Sequence, residues 1–71
     1  MRTIRAELLK INAFFEGISY LLYHNGDALY YRIDPHIQYR YVERHGTLPD
    51  IGAIYEFDII GFDIKKIKNI M

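Results

Sequence analysis

Seventy-one residues make one domain with a small core, since a chain this short buries only about 60% of its unfolded surface. Nine Lys/Arg balance nine Asp/Glu, for a formal net charge of zero; that disfavours coating of DNA through many phosphates and leaves room only for a local basic patch. The absence of cysteine excludes disulfides and thiolate metal sites, and the 51% hydrophobic content argues against disorder.

The chain opens on alternation. Ile4, Ala6 and Leu8 alternate with Arg5 and Glu7 in a strand expected over Thr3 to Phe15. The phase slips at Leu8-Leu9, after which Leu9, Ile11 and Ala13 alternate with Lys10 and Asn12. A one-residue slip in a two-residue period is the mark of a β-bulge, and a bulge bends a strand so that it serves two parts of a barrel. An amphipathic helix is the second reading, because Ala, Glu, Leu and Lys permit it. Glu16-Gly17 is a turn candidate. Ile18 to Tyr23, rich in β-branched and aromatic types, is the second strand. Asn25-Gly26 between two apolar runs predicts a two-residue hairpin, since both central positions need positive φ. Ala28 to Ile33 is then the third strand, antiparallel to the second.

Asp34 and Pro35 stop that strand and suit the N-cap and first position of a helix. Gly46 suits its C-terminal stop. A helix over Pro35 to His45 places Ile37 and Tyr41 on one face, with an edge strand as the runner-up. Thr47 to Gly52 is a loop. Ala53, Tyr55, Phe57 and Ile59 alternate with Ile54, Glu56, Asp58 and Ile60 in a fourth, half-buried strand. Gly61 is a turn, and Phe62 to Ile70 is the fifth strand; Ile64, Ile67 and Met71 also fit a short terminal helix. The order β-β-β-α-β-β, with a long bulged first strand, is that of a mainly β, five-stranded OB-like Greek-key barrel with one short helix between strands 3 and 4, spanning residues 1–71 as a single domain. An SH3-like barrel is the nearest competitor.

Chemistry is concentrated in the centre. Leu29 to His45 holds Tyr30, Tyr31, Tyr39 and Tyr41 together with Arg32, Arg40 and Arg44. Flat rings interleaved with planar cations suit stacking on bases and pairing with phosphates. The same types are enriched at protein interfaces, so Tyr39, Arg40 and Arg44 are the candidate residues for a protein contact. Lys65, Lys66 and Lys68 form a basic cluster that either touches phosphate or is simply solvated. Other constellations have plainer explanations. Asp34 beside His36 reads as a helix cap. Glu56 and Asp58 read as a solvated strand face. His24 and His45 lack ligand-like spacing, so no metal is expected. Ser19 is the single serine and lies inside a predicted strand, and no glycine-rich nucleotide motif occurs. The expectation is a non-enzymatic binding domain without a cofactor.

Several segments resemble the OB-fold group that contains cold-shock and S1-like domains, including bacterial translation initiation factor one. Leu9-Lys10-Ile11-Asn12 followed by Glu16-Gly17-Ile18-Ser19-Tyr20-Leu21 is similar to a cold-shock opening, V-K-W-F-N and then K-G-F-G-F-I. Leu29-Tyr30-Tyr31-Arg32-Ile33 stands where that family has V-F-V-H-F. Leu48-Pro49-Asp50-Ile51-Gly52 with Tyr55-Glu56-Phe57 resembles L-x-x-G-x-x-V-x-F with one residue inserted. Phe62-Asp63-Ile64-Lys65-Lys66-Ile67 resembles the Y-D-L-S-K-G-R-I close of the initiation factor. Here the paired phenylalanines are Ile18 and Tyr20, the histidine is Arg32 and the tryptophan is Ile11.

The resemblance implies single-stranded RNA or DNA binding, with Tyr20, Tyr30 and Arg32 pointing outward together, Lys10 and Asn12 flanking them, and Lys65 and Lys66 assisting. Two rival readings stand beside it. One is a protein–protein module, an inhibitor or adaptor of viral or mobile-element kind. The other is a homodimer whose exposed tyrosines form the subunit contact; near-zero net charge favours association, and a partner would add the burial that a short chain lacks. No apolar run reaches the roughly 20 residues that span a bilayer. Arg2-Thr3-Ile4-Arg5 and the residues after it lack an apolar signal core, so a cytoplasmic location without membrane contact is expected.

Overall fold

The computed structural model describes residues 1–14 and 17–70, and in it five strands and one helix follow in the expected order. They are β1 (Arg2–Phe14), β2 (Gly17–His24), β3 (Asp27–Ile33), α1 (Pro35–His45), β4 (Ile54–Ile60) and β5 (Asp63–Asn69). The end of the predicted first strand at Phe15, the Glu16 half of the proposed turn, and Met71 lie outside the described residues. The N-terminal third is strand rather than helix, and so is the C-terminal segment.

The strands close into a barrel in the order β1-β2-β3-β5-β4, the topology of an OB-like fold. The bulge makes closure possible. Arg2 to Glu7 pair antiparallel with Ile59 to Ile54, and Glu7 to Phe14 pair antiparallel with Tyr23 to Gly17. The register shifts between Leu8 and Lys10, leaving Leu9 as the extra residue. There the Leu8 N–H donates to the Ala53 carbonyl and the Leu8 carbonyl accepts from Gly52, so β1 leaves one neighbour as it joins the other. The last seam, β3 with β5, is parallel and short: only Arg32 with Asp63 and Ile33 with Ile64 face each other.

The hairpin between β2 and β3 turns at Asn25 and Gly26, both with positive φ (53° and 83°). Its two-residue loop pairs His24 with Asp27 and therefore Tyr20 with Tyr31 and Leu21 with Tyr30. Helix α1 begins as its residues require: Asp34 Oδ1 accepts from the His36 N–H at 2.8 Å, and Pro35 occupies the first turn. It ends at Gly46, whose left-handed backbone lets its N–H donate to the Val42 carbonyl.

The core is one cluster to which every element contributes: Ile4, Ala6 and Leu8 from β1, Tyr20 and Leu22 from β2, Tyr31 and Ile33 from β3, Tyr41 from α1, Tyr55, Phe57 and Ile59 from β4, and Ile64 and Ile67 from β5. Tyrosine makes up much of it. A buried phenol needs a partner, and three of these hydroxyls have one. Tyr20 donates to Gln38 Oε1 at 2.7 Å, Tyr41 donates to Asn69 Oδ1 at 3.2 Å, and Tyr55 accepts from the Asp50 N–H at 2.7 Å. These bonds tie the helix and the 47–53 loop to the barrel.

Candidate nucleic-acid interface

Side chains alternate along a strand, and residues opposite each other on neighbouring strands share a face. On the outside of β1, β2 and β3 this rule assembles Lys10 and Asn12, then Ser19, Leu21 and Tyr23, then Ala28, Tyr30 and Arg32. Tyr23 and Tyr30 are diagonal neighbours, 46% and 49% exposed. Asn12 Nδ2 donates to the Tyr30 hydroxyl at 3.1 Å and fixes the tilt of that ring. Lys10 is exposed and forms no ion pair among the described residues. The face therefore offers two rings, an apolar Leu21 between them, an amide and an ammonium.

Tyr20 is not part of it. The expectation that Tyr20 points outward beside Tyr30 is corrected: it is 0% exposed, packed in the core and bonded to Gln38. Burial raises its pKa, with smaller contributions from Tyr41 and Tyr55. The cause lies in the turn. Once His24 faces Asp27, Tyr20 must face Tyr31, and Tyr30 falls on the opposite side of the sheet. Tyr23 occupies the outward place that was expected of Tyr20, so β2 runs one residue out of phase with the cold-shock resemblance. The Asn25-Gly26 signal alone was enough to find Tyr23.

Arg32 is exposed as expected, but its Nε sits 3.0 Å from Asp63 Oδ1 at the β3/β5 seam. It belongs to the rim of the face and is already paired. Lys65 borders the β3/β5 seam with Ser19 and Arg32, and Lys66 lies farther along β5. Both lysines line a groove of about 250 Å³ between α1 and β5, together with Arg40, Arg44 and His45, over a floor of Ile37, Tyr41 and Ile67. Arg40 and Arg44, expected at a protein contact, thus join the two lysines, whereas Tyr39, 60% exposed, stands apart from the groove.

The outer side of β1, β4 and β5 differs again. Arg5 pairs with Glu56 at 3.2 Å and Lys68 with Asp58 at 3.4 Å. Asp58 is buried, which corrects the expectation of a solvated face. Its carboxylate accepts from Thr3 Oγ1 at 2.6 Å, and chiefly that bond holds its pKa below the ordinary carboxylate value, against the opposing effect of burial.

The fold and these faces define a small closed β-barrel of OB-like topology with a ring-bearing sheet face and a separate basic groove. No protein-family profile, curated protein or solved structure matches the chain. Among the described residues no helix is long and apolar enough to cross a membrane.

Proposed function

We propose that this domain binds single-stranded nucleic acid on the outer face of β1, β2 and β3 and catalyses no reaction. One observation carries the reading: Tyr23 and Tyr30 present two half-exposed rings side by side, with Lys10 and Asn12 at one edge and Arg32 at the other. Stacking of one base on one ring is worth about 1–3 kcal/mol and tolerates any base. Two rings and a few polar groups suit weak, sequence-tolerant binding. The resemblance to cold-shock and S1-like domains supports the same ligand class, with a cytoplasmic setting.

The test is a titration of labelled single-stranded RNA and DNA at two salt concentrations. Binding is expected to weaken with salt and to fall by about 1–3 kcal/mol per lost ring in Tyr23→Ala and Tyr30→Ala. Unaltered affinity in both variants would remove the sheet face from the site. A second reading, a protein or subunit contact through α1, is favoured by the exposure of Tyr39. Light scattering of the wild type and Tyr39→Ala separates it, because only that reading expects an assembly that the substitution dissolves.

A further inference from the structure

A formally neutral chain has no electrostatic reason to collect cations, yet Arg40, Arg44, Lys65 and Lys66 line one groove. Among the described residues no carboxylate lines it, and none of the four forms an ion pair. Outside the groove Arg5, Arg32 and Lys68 each hold a carboxylate, whereas Arg2 and Lys10 form no ion pair among the described residues. The helix dipole accounts for basic residues in the last turn of α1, where Arg44 and His45 lie. It does not account for Lys65 and Lys66 on the facing strand. Arg40 and Arg44, four apart, project from the same side of the helix. Lys66 faces Asp58 across the β4/β5 pairing and helps to lower its pKa, while Asp58 itself is bonded to Thr3 and paired with Lys68.

A second depression, of about 490 Å³, lies along the β3/β5 seam; Ser19 and Arg32 of the sheet face line it, and so does Lys65. Among the described residues two carboxylates line it, Asp63 paired with Arg32 and Asp34 bonded to the first turn of α1. Lys65 lines both depressions. It stands where β5 shifts register against β4, between Ile64 and Lys66, and has no partner in that ladder.

We propose that the groove between α1 and β5 is a phosphate track for the same single strand, holding its backbone beyond the bases that stack on Tyr23 and Tyr30. This rests on the sheet-face reading above. The strand leaves that face past Arg32, follows the β3/β5 seam, and reaches Lys65, Lys66, Arg40 and Arg44. Planar guanidinium groups suit bidentate phosphate contacts, and the lysines act as point charges.

The experiment measures anisotropy of oligo-dT and oligo-U of about four and about fifteen nucleotides over a range of salt, spanning the site sizes seen for such barrels. Two independent double variants, Arg40→Gln/Arg44→Gln and Lys65→Gln/Lys66→Gln, are compared with wild type after thermal melts establish that they fold. Each phosphate contact on a single strand contributes about 0.7 to the slope of log affinity against log salt. Each double variant is therefore expected to make the slope of the long oligomer shallower by about 1.4, while the short one binds as in wild type. If both variants keep the wild-type slope while Tyr30→Ala weakens binding, the track is overturned and the sheet face stands. If the groove variants weaken binding and the tyrosine variants do not, the sheet-face reading and the two-part path both fall, leaving the groove as the sole contact. Absence of binding at low salt removes both. Equal competition by poly-glutamate would mark the groove as a general acidic-protein contact and overturn the assignment to phosphate.

Discussion

Seven tyrosines divide by position into two populations. Tyr20, Tyr31, Tyr41 and Tyr55 lie in the core, while Tyr23, Tyr30 and Tyr39 are exposed. Of the inner set, Tyr20, Tyr41 and Tyr55 spend their hydroxyls on fixed partners at the helix, the C-terminal strand and the 47–53 loop. Rings inside this set also contact one another edge-on, Tyr41 with Tyr55 at 6.2 Å. Among the described residues the outer set makes one side-chain hydrogen bond, from Asn12 to Tyr30. The same residue type thus serves as a polar-tipped core filler in one region and as a surface ring in the other. What separates the two is strand parity, not composition.

The largest effect that tests this division is expected from Tyr20→Ala. It removes a fully buried ring and should cost about 3–5 kcal/mol, a large share of the stability of a small domain. Urea unfolding followed by circular dichroism measures it, and a change below about 1 kcal/mol would show that Tyr20 is no core residue. A middle-sized effect concerns Tyr41, whose hydroxyl pKa burial, and next its neighbour Tyr55, push up from 10.0 to about 12. A folded-state value above the unfolded one stabilises the protein fully below pH 10, and that contribution is lost as the pH rises through about 12. Wild type should therefore lose stability across this alkaline window. Tyr41→Phe should lose about 1 kcal/mol at neutral pH with its bond to Asn69, and then fall less steeply as the pH rises. Parallel alkaline curves for the two proteins would contradict this environment for Tyr41. The smallest effect belongs to the outer set: Tyr23→Ala and Tyr30→Ala should change the unfolding free energy by no more than about 0.5 kcal/mol while still lowering ligand affinity. A large loss of stability in either would move that ring into the structural population.

Much of the fold was legible in local signals. The slip at Leu8-Leu9 marked the bulge. Asn25-Gly26 marked the hairpin, and Asp34-Pro35 with Gly46 bounded the helix. The candidate site was less legible. The cold-shock resemblance implies an outward Tyr20, although the two-residue turn already places it opposite Tyr31. Asp58 alternates with core residues and so looked solvated, yet the curved sheet brings Thr3 and Lys68 over it. The groove was the least visible feature. Arg40 and Arg44 lie about two dozen positions before Lys65 and Lys66, and no local pattern links a helix face to a strand that pairs elsewhere.

The amino-acid order by itself determined the elements, their caps and turns, and, through the hairpin, which rings of β2 and β3 can share a surface. Those are short-range matters of φ preference and of a period of two. Only the closed barrel decided which surface faces the core, which charges find partners, and that two arginines and two lysines line one groove. These are long-range consequences of packing, in which the bulge, the short parallel seam and the docked helix set distances that no stretch of sequence contains.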